Sequence, residues 1–423
     1  MYPGTLGVAL VRRSRTIAAG SRCALLVLVV ACGDAADSSG AARSGSLERD
    51  PDFTIGLVEG DSAYMFGDIR AVAVDAAGRV YVGDRIGATI RAYDGSGRFI
   101  ERIAREGRGP GEVYGWPADI ETAPDGTLFV RDGSDITLFA ISGSGGIADS
   151  VAAVWPWPGY GNLTSTRGRV GGSGEYYYPG GEHRPDELPR FFYLPFRDGV
   201  VLGDTLEVPS YPGLVSLRPA LYRLGATDAL MLEGLSHVPF APIPVWDVTE
   251  VGTIVSSDGT MDELIETTAG GDTVRVIAGM TSTVRQIPAG ERADSARALA
   301  ARLDALRVPV DEIAGLGEGV REGRLPANLP PLIGLHVAAD GMIWVERWPD
   351  EGQGSHRFYD VLQTDGRSWA RITLRAPLSA EPPPHFGGRY IAGVVVDSVT
   401  GVERVVRFTI PVLAETRPDS VWT

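Results

Sequence analysis

Three acid–arginine neighbours are the residues of this 423-residue chain best placed for chemistry: Asp84-Arg85, Arg131-Asp132 and Glu346-Arg347. Each pair ends a short strand-like run (Arg79–Val82, Thr127–Val130, Met342–Glu346). A guanidinium offers a planar fork of donors, so three arginines at equivalent places suit an anionic or polar ligand. The competing use is internal, with each pair satisfying its own partner and nearby turn carbonyls. Trp116 and Trp246, like Trp348, stand where a sheet begins or ends; they suit stacking on a sugar or peptide, or filling the space between sheets. The ligand-binding expectation is therefore Arg85, Arg131, Arg347, Trp116 and Trp246, facing a protein, peptide or glycan. No catalytic residue, metal ligand or cofactor is assigned.

Other chemistries find less support. Both cysteines, Cys23 and Cys32, precede the body, which leaves it no disulfide and no thiol nucleophile. The five histidines show no HxH or HxxxH spacing, and no GxSxG occurs. Gly107–Gly111 lacks the GK[ST] ending of a phosphate loop. The net charge of −15, all of whose balancing cations are arginine, repels phosphate backbones and argues against nucleic acid.

The elements that must carry these residues are short strands. In 66–111, Arg70–Val74, Arg79–Val82, Thr89–Tyr93 and Phe99–Ala104 alternate or crowd apolar residues, with turns at Asp75–Gly78 and Asp94–Gly97. Four antiparallel strands in about forty-five residues is the size of one propeller blade, and so small a sheet needs neighbours like itself. Residues 116–150 repeat the pattern, AVAVDAAGRVYVGD against DIETAPDGTLFVRD. A looser third unit spans 161–209, with an insertion at Gly180–Pro189 and a possible continuation into Leu221–Leu232; Tyr176-Tyr177-Tyr178 alternates faces there, so at least one tyrosine is expected in solvent. The fourth unit comprises Pro244–Val248, Gly252–Val255, Asp262–Thr268 and Thr273–Ile277. The fifth comprises Ile333–Val337, Met342–Glu346, Arg357–Leu362 and Ser368–Leu374. Tyr390–Asp397 and Val402–Ile410 leave the last unit short of a strand, which Asp52–Val58 supplies.

The first two units resemble NHL-type repeats, and GRVYVGD…IRAYDGSGRFIERIAREGRGPGEV resembles bacterial lipoproteins built as six-bladed propellers. The resemblance covers 66–150 and recurs at 332–375. It implies a turn-holding role for Asp84 and Asp132. Related six-bladed folds include lactone hydrolases with a divalent cation on the axis, whose acid and asparagine ligands find no match here, since Asn162 and Asn328 fall in irregular stretches.

The expected architecture is all-β, a six-bladed β-propeller over 51–414, or seven blades if 161–235 holds two. A helical segment is inserted at 288–329, where Glu291–Arg307 places Ala293, Ala296, Leu299, Ala300, Leu303 and Leu306 on one face. Residues 1–31 read as a signal peptide: Arg12, Arg13, Arg15 and Arg22 precede the apolar run 24–31, and Val29-Val30-Ala31-Cys32 resembles a lipobox. Cys32 is the expected lipidation site, 32–50 a flexible tether and 415–423 a tail. The expected protein is a monomeric binding or scaffolding module on the outer side of a membrane. The alternative is a hydrolase or lyase with an axial divalent metal.

Overall fold

The computed structural model describes residues 45–108, 112–133, 138–142, 161–162, 167–182, 190–197, 200–209, 239–260, 263–278, 284–305, 325–349 and 356–411. The signal peptide, Cys32, most of the tether, Gly143–Gly146, Leu221–Leu232 and the C-terminal tail lie outside them.

Two strands come before the first repeat, β1 (Gly45–Arg49) and β2 (Phe53–Ile55). The first sheet is β3 (Ile69–Val74), β4 (Val80–Asp84), β5 (Thr89–Tyr93) and β6 (Phe99–Ala104), in that order. The second is β7 (Pro117–Thr122), β8 (Thr127–Asp132) and β9 (Leu138–Ser142). The third holds β10 (Gly161–Asn162), β11 (Arg169–Val170), β12 (Tyr176–Glu182), β13 (Arg190–Arg197), β14 (Val200–Val201) and β15 (Leu206–Glu207). The fourth is β16 (Val245–Val248), β17 (Ile254–Ser257), β18 (Glu263–Thr267) and β19 (Thr273–Ala278). Helix α1 (Ala289–Ala305) follows. The fifth sheet is β20 (Gly334–Val337), β21 (Ile343–Arg347), β22 (Arg357–Leu362) and β23 (Ser368–Leu374), with β1 on its outer edge. The sixth is β24 (His385–Phe386), β25 (Tyr390–Val396) and β26 (Glu403–Thr409), with β2 outermost.

This is an all-β propeller with one α-helix among the described residues. Five sheets have four or more strands and form full blades; β7–β9 has three described strands, so the expected six full blades are five here. Apolar clusters join neighbouring sheets because each small sheet has two faces to bury. Ala71 and Tyr81 of the first sheet pack with Ile120 and Val130 of the second, and Val255 of the fourth with Leu335 and Val345 of the fifth. Trp344 and Tyr359 pack with Phe386 and Phe408, while Val72 and Val82 pack with Val394 and Val405. At Gly83 a Cβ would lie 2.8 Å from Pro117, so glycine lets the first two sheets approach.

Turn chemistry explains why the repeats fold locally. Asp75 Oδ1 accepts the Ala77 and Arg79 amides at 2.9 Å, and its other oxygen holds Arg79 Nε at 2.7 Å. Asp94 does the same for Ser96 and Arg98, and Asp365 for Arg367. Gly78 at φ 80° supplies the left-handed residue that this turn requires.

Strand β2 closes the ring. β2 pairs antiparallel with β26, Phe53 opposite Arg407, as the lone run Asp52–Val58 suggests. Arg407 also donates two bonds to Asp52, at 2.9 and 3.1 Å. The expected tether is corrected at its end, where β1 runs parallel to β23 and Leu47 packs into the fifth-sheet cluster. Helix α1 buries Ala296 and Leu299, and antiparallel backbone bonds join the base of its insertion: Ile287 N–H to Ala327 O at 2.8 Å and Leu329 N–H to Arg285 O at 2.9 Å.

Candidate functional site

The inner strands of the six sheets bring together a buried ionic cluster that the sequence gives no hint of. Arg167 lies just before β11 and is only 6 % exposed in its side chain. It donates to Glu121 Oε1 at 2.9 Å and to the carbonyls of Val72, Ile120 and Pro383 at 3.1, 2.7 and 3.2 Å. Arg169, two residues on, forks onto Asp247 and stands 3.6 Å from Glu121. Asp247 also accepts the Val337 amide at 2.7 Å. Asp119 accepts the Gly168 amide at 2.6 Å and lies 3.5 Å from Arg167 and 4.0 Å from Arg131. Every sheet contributes a partner: Val72, Asp119 and Glu121, Arg167 and Arg169, Asp247, Val337, and His385 with Pro383.

His385 fixes the remaining edge. The Val74 amide donates to Nδ1 at 3.2 Å, which leaves the proton on Nε2, 3.2 Å from Glu121 Oε2. Burial, with the nearby Arg167 and Arg169 charges, lowers the pKa of His385 below its ordinary 6.5, so the ring is neutral near pH 7. Burial pushes Glu121 up, but Arg167, His385 and Arg169 outweigh it and hold the carboxyl well below the usual range. Three guanidiniums thus face three carboxylates around a neutral imidazole, which is how buried charge is tolerated.

An axial divalent cation does not fit this arrangement. Its oxygen ligands would be Asp119, Glu121 and Asp247, and each already has a guanidinium against it. Among the described residues no group of three or more acidic, histidine or cysteine side chains is disposed to hold a metal.

The arginines expected to share a ligand are not brought into one site. Arg85 is half-exposed and bonds Asp68 at 2.6 Å. Arg131 is fully buried, between Asp119 and the Tyr178 ring, 5.7 Å from its centroid. Arg347 is buried and bonds Asp360 at 2.9 Å and the Pro331 carbonyl at 2.5 Å. Arg131 and Arg347 are thereby corrected to internal roles, because blade faces are covered by neighbouring blades. Trp246 stacks on Phe191 at 4.7 Å between the third and fourth sheets, and half-buried Trp116 covers Gly133, where a Cβ would lie 2.2 Å from the indole. All three of Tyr176, Tyr177 and Tyr178 are buried, against the expectation that one faces solvent.

The aspartates after the second strands have the turn-holding role that the resemblance implies. Asp84 accepts the amides of Gly67, Asp68 and Ile86 at 3.2, 3.0 and 3.1 Å. Asp132 accepts those of Tyr114 and Gly115, the former at 2.7 Å. Arg347 occupies the matching place in the fifth sheet and holds its preceding segment by donating to a carbonyl instead.

No family model and no curated protein matches the sequence. Among solved structures, the chain is similar to virginiamycin B lyase from Staphylococcus aureus at 10 % identity, covering 85 % of this chain and 99 % of that one, with TM-score 0.38. Similarity to regucalcin, a calcium-binding protein from Agrobacterium tumefaciens, is at 12 % identity with coverages of 86 % and 97 % and TM-score 0.38. A member of the DUF4221 family from Bacteroides vulgatus is 11 % identical, with coverages of 84 % and 96 % and TM-score 0.41.

Proposed function

We propose that this chain is a lipid-anchored, extracytoplasmic β-propeller that binds a protein, peptide or glycan on the face carrying its connecting loops. The observation that carries this reading is the contrast between a filled axis and an apolar loop face. Connections between sheets and the loops from second to third strands lie at one end of every blade, by strand direction alone. Val58, Met65, Ile86, Tyr114 and Val399 lie in those segments and are 53, 37, 59, 43 and 91 % exposed. Single exposed apolar residues are ordinary, but several at one end of a ring suit a contact surface. Arg85 and Trp116 belong to the same end and are the members of the expected ligand set that this reading retains.

Capture by the soluble body starting at residue 41, which keeps β1, tests the face. Ile86→Asp with Val399→Asp abolishes capture of the partner bound by the unsubstituted body, with unchanged thermal unfolding; equal capture removes the proposal. Palmitate incorporation that disappears in Cys32→Ala supports the anchor, and labelling that persists refutes it. The axial-metal hydrolase or lyase remains the competing class, and the arginine-held carboxylates weigh against it.

A further inference from the structure

We propose that Arg167 and Arg169 are the resident cations where the inner strands of this ring converge, so that the propeller closes without metal. The partners of Arg167 are all oxygens: the Glu121 carboxylate, the Val72, Ile120 and Pro383 carbonyls, and the more distant Asp119. Carboxylates and carbonyls are the set a hard cation collects. Here they come from the first, second and sixth sheets and converge on one guanidinium. Arg169 extends the set to the fourth sheet through Asp247, whose second oxygen reaches the fifth through Val337.

The segment that delivers both cations is built for close approach. A Cβ at Gly168 would stand 1.8 Å from the Tyr176 hydroxyl, so only glycine lets the chain carry two arginines inward here. A metal ion accepts its ligands from any direction, whereas a guanidinium satisfies them only in its plane. The arginines therefore set the orientation of the inner strands as well as neutralising their carboxylates.

Thermal unfolding of the full chain in EDTA and then in Ca²⁺, Mg²⁺ or Mn²⁺ tests the first half, at up to about 10 mM, above the weakest range for oxygen-ligated calcium. The expected melting temperature is the same throughout. A saturable rise with any of these ions that Glu121→Gln abolishes overturns the proposal. The second half is tested by a cycle of Arg167→Met, Glu121→Gln and the double variant. The double variant is expected to be more stable than the sum of the single losses by at least about tenfold in the unfolding equilibrium, because cation and anion leave together. Additive losses overturn it. Should Arg167→Met not fold, Arg167→Lys keeps the charge without the fork; it is expected to fold with a lowered melting temperature, and failure of the lysine variant as well overturns the cation role.

Discussion

Arg98 and Asp94 meet at 2.9 Å at a hairpin turn of the first sheet, and Arg167 and Glu121 meet at the same 2.9 Å on the axis. The turn pair is 81 and 29 % exposed in its side chains, the axial pair 6 and 5 %. At the turn, water solvates either ion without its partner, so the pair mainly organises the backbone of residues 94–98. On the axis no water replaces a lost partner, and removal of one member leaves the other dependent on the remaining groups of the buried cluster. Identical chemistry at identical distance thus carries local geometry in one place and closure of the whole ring in the other.

The comparison breaks most sharply at the axis. Arg167→Met is expected to cost about 3–5 kcal/mol in denaturant unfolding, the range for one member removed from a buried pair. A cost no larger than that of a surface substitution would erase the distinction. Asp84→Ala and Asp132→Ala stand between the extremes, because their carboxylates hold backbone amides beneath the loop face; each is expected to cost about 1–3 kcal/mol, and Asn to restore part of it. Equal loss for Asn and Ala would show that the amide contacts contribute nothing.

Acid sharpens the contrast further. The pKa of His385 is lower folded than unfolded, so its contribution is complete above the unfolded value of 6.5 and is lost as pH falls below it. The slope is at most about 1.4 kcal/mol per pH unit. Glu121 follows, its contribution complete above 4.5 and lost as pH falls further. In His385→Gln the step that begins below pH 6.5 should vanish from a stability–pH profile while the one belonging to Glu121 remains. Smallest of all, Asp94→Ala should lower the melting temperature less than any of these, because water solvates Arg98 and the freed amides, although hydrogen bonds from Ser96 and Arg98 hold the carboxyl well below the usual range.

Legibility of the sequence follows the same division. Strands β3–β8 and β16–β23 match the apolar runs to within about two residues, because Asp-x-x-Gly-Arg and related turns punctuate them locally. The axial cluster was invisible since its partners lie far apart: Arg167 and Pro383 are 216 residues apart, Glu121 and His385 264. The segment Arg167–Arg169 also sits where the repeat loosens. Tyr176–Tyr178 and Arg131 were misplaced for a different reason. Period-two alternation separates two faces of a strand, but in a blade clasped on both sides neither face reaches water. Arg85 alone among the three expected arginines keeps substantial exposure, because it lies past its strand, in a loop.

The pairing of β2 with β26 spans more than 350 residues between Asp52 and Arg407, and this governs how the protein comes into being. On a ribosome β2 emerges early and must wait for 355 residues before its mate exists. Until then the nascent arc presents raw strand edges at both ends, the condition that invites mispairing between neighbouring chains. Contacts of such sequence separation are also slow to find. Maturation of this propeller is therefore timed by the arrival of β26, and a chain cut short before it is an open arc however well its earlier blades have formed.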